Sequence, residues 1–127
     1  MSSVVLDTSA IIAAIRKEPG AALVNAVIDD SVVSTVNVAE VVTYFADQGY
    51  SEQAVRSFIA EKPFERAPFD QEQAWKAGML RPITRHLGLS LGDRACLTLA
   101  ATMGLPVMTA DRVWAGLSIG VEVQLIR

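Results

Sequence analysis

Four acidic residues occupy positions from which a small α/β protein could act on a substrate, since each follows a predicted strand or lies in the first turn of a predicted helix. They are Asp7, Glu40, Asp93 and Asp111. The carboxyl ends of parallel strands and the N-termini of the helices that return to them share one edge of a sheet, so we expect the four carboxylates to converge there. Crowded like charges resist ionisation unless a cation neutralises them. An all-oxygen set of this kind suits Mg²⁺, with Mn²⁺ as a substitute.

Hydroxyl and guanidinium groups accompany these acids. Four hydroxyl residues lie within three positions of an acid, where they could orient a carboxylate or a water molecule: Thr8, Ser9, Ser90 and Thr109. Four arginines are candidate contacts for substrate phosphates, and two of them directly follow an acid: Arg81, Arg85, Arg94 and Arg112. A solvated surface explains the arginines equally well.

Helix capping is the alternative interpretation of each acid taken singly. The two acids that follow strands stand where N-caps are expected, and the spacings of Asn37 with Glu40 and of Ser90 with Asp93 match a capping box. Glu40 also lies opposite the apolar stripe of its helix, which is the usual place for a solvated glutamate. Because Asp, Ser, Thr and Asn all make good caps, capping alone does not explain why an acid recurs at all four places.

The other reactive side chains give weaker signals. His86 is the single histidine and is predicted to be a cation at the C-terminal end of a helix. One imidazole also argues against metal-free cleavage of RNA, which generally needs an acid and a base beside the 2′-hydroxyl. Cys96 is predicted to pack inside an apolar helix. Trp75 and Trp114 are predicted to lie in the core or in an interface rather than to stack on bases.

Length and composition predict one globular domain over residues 1–127. Hydrophobic residues make up 51% and charged residues 20% of the 127 residues, which leaves apolar surface for a partner. Fourteen acidic against eleven basic residues give a net charge of −3, so any contact with nucleic acid must be local. One cysteine and one histidine exclude a disulfide framework and a four-ligand zinc site.

Targeting and membrane signals are not found in the sequence. The first residues lack a basic region and reach Asp7 before an apolar run can develop. The longest charge-free stretch, 95–110, has sixteen residues and contains Gly104 and Pro106. A membrane span needs about 18 apolar residues. We therefore expect a cytoplasmic protein that does not enter a membrane.

Predicted strands and helices alternate along the chain. The strands cover residues 4–6, 31–34, 64–69, 106–108 and 121–126. The helices begin near residues 8, 20, 37, 51, 70 and 91, the fifth running to about residue 86, and a short helical turn follows Asp111. Pro68 cannot donate to a ladder, which predicts an edge position for its strand. The alternation predicts an α/β fold with a mostly parallel sheet of about five strands and helices on both faces.

Four blocks of sequence resemble the PIN-domain family, and in particular the VapC-type toxins of bacterial toxin–antitoxin pairs. They are VLDTSA (5–10), NVAEV (37–41), LSLGDRAC (89–96) and LPVMTADR (105–112), and they follow the family's order along the whole chain. The resemblance assigns the family's acidic quartet to the four acids named above. It assigns the small hydroxyl after the first strand to Thr8 or Ser9, and the threonine before the last acid to Thr109.

This resemblance implies a PIN-like three-layer sandwich and a Mg²⁺-dependent endoribonuclease that cleaves RNA with metal-activated water. It also implies a homodimer, and inhibition by a cognate antitoxin whose C-terminal segment occupies the groove. Some relatives carry a further acid after the last motif, whereas residues 112–120 contain none. A second metal site is therefore left open.

Two other classes of function remain open at this stage. A receiver-like or acyl-phosphatase-like phosphotransfer domain also places acids at strand ends. A receiver, however, uses paired acids after the first strand and a late lysine, while here one acid follows the first strand and no lysine follows Lys76. A non-catalytic module could instead use the acids to capture a basic peptide, and a metal titration separates that alternative from the nuclease.

Overall fold

The computed structural model describes residues 2–127 and contains one five-stranded sheet. The strands are β1 (Val4–Leu6), β2 (Ser31–Ser34), β3 (Glu65–Ala67), β4 (Val107–Thr109) and β5 (Val123–Leu125). Their order in the sheet is β3-β2-β1-β4-β5, and every neighbouring pair is parallel. The predicted α/β fold is confirmed, as is the edge position of the strand before Pro68. The last three strands are shifted or shorter than predicted.

Seven α-helices connect the strands within residues 2–127. They are α1 (Thr8–Arg16), α2 (Ala21–Val27), α3 (Thr35–Asp47), α4 (Glu52–Ala60), α5 (Gln71–Met79), α6 (Arg81–Thr84) and α7 (Leu91–Met103). Short 3₁₀ turns span Ile28–Asp30, Arg85–Leu87 and Arg112–Gly116. None of the helices in this part of the chain is long and apolar enough to cross a membrane.

Alternation along the strands divides the core into two layers, one on each face of the sheet. In β1, Val4 and Leu6 belong to a cluster with residues of helices α1 to α4, whereas Val5 faces a second cluster. That second cluster contains Cys96 of α7 and the fully buried Trp114, as predicted. Trp75 was predicted to lie in the core or an interface, but it is 67% exposed on α5 and is not a core residue.

The predicted helix from residue 70 to about 86 is broken in the structure. Helix α5 ends at Met79, and the short α6 and a 3₁₀ turn follow it. Pro82 explains the break, because it has no amide hydrogen for the carbonyl of Gly78 and its ring collides with the preceding turn. His86 lies exposed in the 3₁₀ turn rather than in the last turn of a long helix.

The predicted capping role of Asn37 is wrong. Ser34 is the N-cap of α3, and its hydroxyl accepts a 3.2 Å hydrogen bond from the amide of Val36. Because β2 runs into α3 without a loop, this cap comes three residues before Asn37. Asn37 is therefore a residue of the first helical turn, and its side chain is buried.

Candidate active site

The four acids lie at the carboxyl edge of the sheet. Asp7 and Asp111 follow the neighbouring strands β1 and β4, and Asp93 lies in the first turn of α7. Glu40, predicted in the first turn of its helix, lies in the second turn of α3, because that helix begins at Thr35. Burial is the main cause that raises the pKa of Asp7 and of Asp93. The charge of Asp93 adds to the rise at Asp7, and the charges of Glu40 and Asp111 add to the rise at Asp93. Asp93 therefore interacts electrostatically with each of the other three acids.

Asp7 is the most deeply buried of the four, at 4% exposure. Burial raises its pKa from 3.8 to about 6, although three hydrogen bonds oppose that rise. Thr109 donates to Oδ2 at 2.6 Å, while the amide of Ala10 and the hydroxyl of Ser9 each donate to Oδ1 at 2.8 Å. Asp7 is thus both the N-cap of α1 and a hydroxyl-supported carboxylate in the site.

Asp93 forms the capping box with Ser90 that its spacing predicts. The amide of Ser90 donates to Asp93 Oδ2 at 2.9 Å, and the amide of Asp93 donates to Ser90 Oγ at 3.2 Å. The pKa of Asp93 is raised above its ordinary value, mainly by burial. The two hydrogen bonds from Ser90 oppose this rise, and the charges of Glu40 and Asp111 add to it. Asp93 therefore caps α7 and is at the same time one of the acids of the cluster.

Glu40 does not have the solvated position that the helical wheel indicated. Its Oε1 accepts hydrogen bonds from Thr8 Oγ1 at 2.5 Å and from Asn37 Nδ2 at 3.1 Å. A Cβ atom added to Gly92 would overlap the Glu40 carboxylate, so this side chain lies against the backbone of α7. The capping-box interpretation of Glu40 is wrong, because its carboxylate faces α1 and α7 instead of its own helix end.

Asp111 is linked to Asp7 through two hydroxyls. Its amide donates to Thr109 Oγ1 at 3.0 Å, and Thr109 and Ser9 lie 3.3 Å apart through their hydroxyl oxygens. The amide of Ala110 donates to Ser9 Oγ at 2.9 Å. The Asp111 carboxylate itself caps the following 3₁₀ turn. Thr109 and Ser9 thereby tie the loop after β4 to the end of β1.

The four candidate arginines have different environments. Arg94 donates to the carbonyl of Ala77 at 2.9 Å, and Arg81 donates to the carbonyl of Leu89 at 3.3 Å. Arg85 and Arg112 are exposed. Within residues 2–127 the ion pairs are Arg16 with Glu18, Arg56 with Glu52, and Arg127 with Glu18. None of the four central acids is therefore neutralised by an arginine or lysine of the described chain.

The donor chemistry of this cluster fits a hard divalent cation, because it offers uncompensated carboxylate oxygens and neutral hydroxyls. In the arrangement seen here, no group of three or more histidine, cysteine, aspartate or glutamate side chains among residues 2–127 is placed to hold an ion. Each acid is instead held by its own hydrogen bonds. The fit to a metal ion thus depends on two observations: the site offers carboxylate and hydroxyl oxygens, and no arginine or lysine of residues 2–127 is paired to its acids.

Sequence reasoning missed two residues that shape this site, Asn37 and Gly92. Asn37 was interpreted as a cap, yet its amide donates to Thr8 Oγ1, Glu40 Oε1 and the carbonyl of Gly92, each at 3.1 Å. A glycine in a helix lowers helix stability, so its presence there indicates that another group packs closely against the helix backbone. That signal was available at Gly92.

Comparison with known proteins gives a consistent assignment. The family model described as PIN domain matches residues 4–118. No protein of curated function matches the sequence significantly.

Among solved structures, a toxin–antitoxin complex from Klebsiella pneumoniae matches with a TM-score of 0.75 and 23% identity, over 98% of both chains. DNA-bound VapBC from Salmonella typhimurium matches with a TM-score of 0.76 and 19% identity over the whole of both chains. Mycobacterium tuberculosis VapC20, a toxin that cleaves the sarcin–ricin loop, matches with a TM-score of 0.67 and 16% identity, over 94% of this chain and 99% of that one. These similarities extend over the whole fold, and the family model covers all four acids, so the chain belongs to the PIN-domain family.

Proposed function

We propose that this protein is a divalent-metal-dependent endoribonuclease that acts as the toxin of a VapBC-type toxin–antitoxin pair. The observation that carries the proposal is the cluster of four carboxylates at one sheet edge, with no basic side chain of the described residues paired to them. Membership of the PIN family removes the receiver-like alternative. The fold shared with VapBC toxin–antitoxin structures supports the toxin assignment.

In this proposal the ion, Mg²⁺ or Mn²⁺, is held by Asp7, Glu40, Asp93 and Asp111. When bound, it supplies positive charge and Lewis acidity for phosphodiester hydrolysis by water.

The chain's own residues prepare the site. The hydroxyls of Thr8, Ser9 and Thr109 hold three carboxylate oxygens in fixed directions. Ser90 fixes Asp93 at the start of α7.

The arginines divide into two groups in their proposed contact with RNA. Arg85 and Arg112 are exposed and free to reach phosphates. Arg81 and Arg94 each donate one N–H to a backbone carbonyl, and the Nε of Arg94 is buried without a hydrogen-bond partner within residues 2–127. Their contact with RNA is therefore proposed through the other guanidinium N–H groups. Because the whole molecule carries a net charge of −3, these local cations supply the attraction that RNA requires.

The proposed partners follow from the same neighbours. VapBC structures contain a toxin with its antitoxin, so we propose a cognate antitoxin that covers the acidic cluster. We also propose a homodimer in the cytoplasm, where both RNA and a co-expressed antitoxin are available. The apolar share of 51% is consistent with surface that partners cover.

Cleavage of a labelled random-sequence RNA pool by the purified protein tests the proposal. We expect cleavage that requires Mg²⁺ or Mn²⁺, is abolished by EDTA and is lost in Asp93→Asn. The exposed Asp47→Asn on α3 removes the same charge away from the cluster and serves as the matched control. Binding of Mn²⁺ without cleavage of any RNA would support a binding module over a nuclease.

A further inference from the structure

The buried amide of Asn37 joins three helices, α1, α3 and α7, each of which carries an acid or begins directly after one. Its side chain is 1% exposed, and Nδ2 lies 3.1 Å from Thr8 Oγ1 of α1, from Glu40 Oε1 of α3 and from the Gly92 carbonyl of α7. Thr8 directly follows Asp7, and Gly92 directly precedes Asp93. Asn37 therefore contacts one acid itself and the immediate chain neighbours of two others.

The hydrogen-bonding balance of this amide shows which of its atoms matters. An amide nitrogen carries two hydrogens and can satisfy three acceptors only by sharing one of them. Thr8 Oγ1 and Glu40 Oε1 are themselves hydrogen-bonded, so one N–H can point between them while the other meets Gly92. The opposite amide atom, Oδ1, is buried and has no hydrogen-bond partner within residues 2–127. Burying Oδ1 without a partner costs free energy, whereas both N–H groups of the amide are hydrogen-bonded. The N–H donors are therefore the part of this side chain that the site uses.

Gly92 supplies the other half of this arrangement. The Glu40 carboxylate fills the space that a Cβ atom of residue 92 would need. Any side chain at this position would displace the carboxylate from the start of α7. Glycine has a lower helix propensity than alanine, so the close approach of Glu40 comes at the expense of helix stability.

We infer that Asn37 and Gly92 form a cradle that positions the Glu40 carboxylate beside Asp93 for metal binding. Asn37 is a positioning residue, since it acts through Glu40 and not on the substrate. This inference rests on the proposed metal-dependent function and adds to it two residues that prearrange the site. It predicts that metal affinity depends on two groups that are not metal ligands.

Mn²⁺ alone is the probe, and its dissociation constant is measured by calorimetry with the purified full-length chain. Asn37→Asp keeps the shape of the side chain but removes both donors and adds a negative charge. Charge alone would tighten Mn²⁺ binding in this variant. We expect the opposite, a weakening of about tenfold or more, because loss of a carboxylate's supporting hydrogen bonds typically costs that much. Asn25→Asp makes the same chemical change on an exposed part of α2 and should bind Mn²⁺ like the parent.

Gly92→Ala gives a second test, which leaves Asn37 and every charge unchanged. This test can be made even if the Asn37→Asp variant fails to fold. It should also weaken Mn²⁺ binding by about tenfold, by displacing the Glu40 carboxylate. Urea unfolding in EDTA, run in parallel, measures any purely structural role, which would lower stability without changing the affinity of the folded protein.

Equal or tighter Mn²⁺ binding by folded Asn37→Asp, or parent-like binding by folded Gly92→Ala, would overturn the inference while leaving the nuclease proposal intact. A parent protein that binds no Mn²⁺ would overturn both.

Discussion

Thr109 Oγ1 donates a 2.6 Å hydrogen bond to Asp7 Oδ2 across the neighbouring strands β4 and β1, although the two residues are 102 positions apart in sequence. Ser9 and the Ala10 amide hold the other carboxylate oxygen. Burial nevertheless outweighs these bonds and raises the pKa of Asp7 to about 6. The folded protein thus keeps a carboxylate in an environment that disfavours its charge, and a bound cation would remove that penalty.

The first prediction concerns stability against pH without metal. Because the pKa of Asp7 is higher in the folded state, the folded protein binds more protons than the unfolded chain between about pH 4 and about pH 6. The contribution of Asp7 to the free energy of unfolding is therefore largest below this window and falls as pH rises through it. The rise from 3.8 to about 6 corresponds to a loss of about 3 kcal/mol. Asp7→Asn should lack this part of the pH dependence in urea unfolding with EDTA present.

Asp47→Asn controls for the change in net charge, since Asp47 is exposed on α3. The quantity compared is the slope of unfolding free energy against pH, because the asparagine also alters hydrogen bonds by an amount that does not vary with pH. A parent slope that survives in Asp7→Asn would show that burial of Asp7 is not its source.

The second prediction concerns Glu40→Gln. Glutamine keeps an oxygen that can accept from Thr8 and Asn37, so the metal-free variant should be about as stable as the parent. It loses one of the negative charges around Asp93, and metal binding should weaken. A ligand that binds only the folded state stabilises it by RT ln(1 + [L]/Kd), which is about 2.7 kcal/mol at a hundredfold excess over Kd. Thermal melts across a Mn²⁺ series should show a smaller shift than in the parent, with cleavage reduced at least about tenfold.

Glu61→Gln, at the exposed C-cap of α4, is the matched control and should retain the parent's Mn²⁺ response. Should Glu40→Gln match the parent in both melting shift and cleavage, Glu40 would be excluded from the metal site.

The sheet, and the places of Asp7 and Asp111 after its strands, could be predicted from the sequence because both depend on local patterns. Apolar runs such as Val4–Leu6 mark buried parallel strands, and Asp7 and Asp111 come within two residues of the end of such a strand. The orientation of Glu40 could not be predicted in this way. It depends on contacts with Thr8, 32 positions away, and with the backbone of Gly92, which a helical wheel does not contain.

Helix ends were the other source of error. Ser34 and Asn37 are both good N-cap residues, and the choice between them depends on where β2 ends, which local preference does not determine. Pro82 was a local signal that was available in the sequence, and it breaks the helix that was predicted to continue to about residue 86.

The third prediction is the chemistry of the cleaved RNA. Hydrolysis by water leaves a 5′-phosphate and a 3′-hydroxyl, whereas attack by the 2′-hydroxyl leaves a cyclic phosphate. The only histidine, His86, lies exposed in a 3₁₀ turn and makes no side-chain hydrogen bond within residues 2–127. We expect 5′-phosphate ends by mass spectrometry and unchanged cleavage in His86→Ala. Cyclic phosphate ends, or full activity in excess EDTA, would contradict hydrolysis by water in a metal site.

The fourth prediction separates two arginines that both follow an acid. Arg94 of α7 donates a hydrogen bond to the Ala77 carbonyl of α5. Hydrogen bonds of charged donors contribute about 1.5–3 kcal/mol to stability. Arg94→Ala should therefore lower the free energy of unfolding by about 2 kcal/mol. Arg112 is exposed, and Arg112→Ala should change stability by less than about 0.5 kcal/mol. Its effect should appear instead as weaker RNA binding with a shallower salt dependence. Equal RNA affinity in parent and Arg112→Ala would remove Arg112 from the substrate surface.

The last prediction concerns how the proposed antitoxin would inhibit the site. Four carboxylates without a paired cation attract a positive side chain as well as a metal ion, so we expect the antitoxin's C-terminal segment to place a lysine or arginine among them. The metal ion and the peptide's cation should then compete for the same carboxylates. Titration of a C-terminal antitoxin peptide at rising Mg²⁺, with ionic strength held constant by a monovalent salt, should show a falling affinity. The peptide in which that cation is replaced by alanine should bind more weakly and should lose its Mg²⁺ dependence. Peptide affinity that stays constant up to saturating Mg²⁺ would place the antitoxin segment outside the acidic cluster.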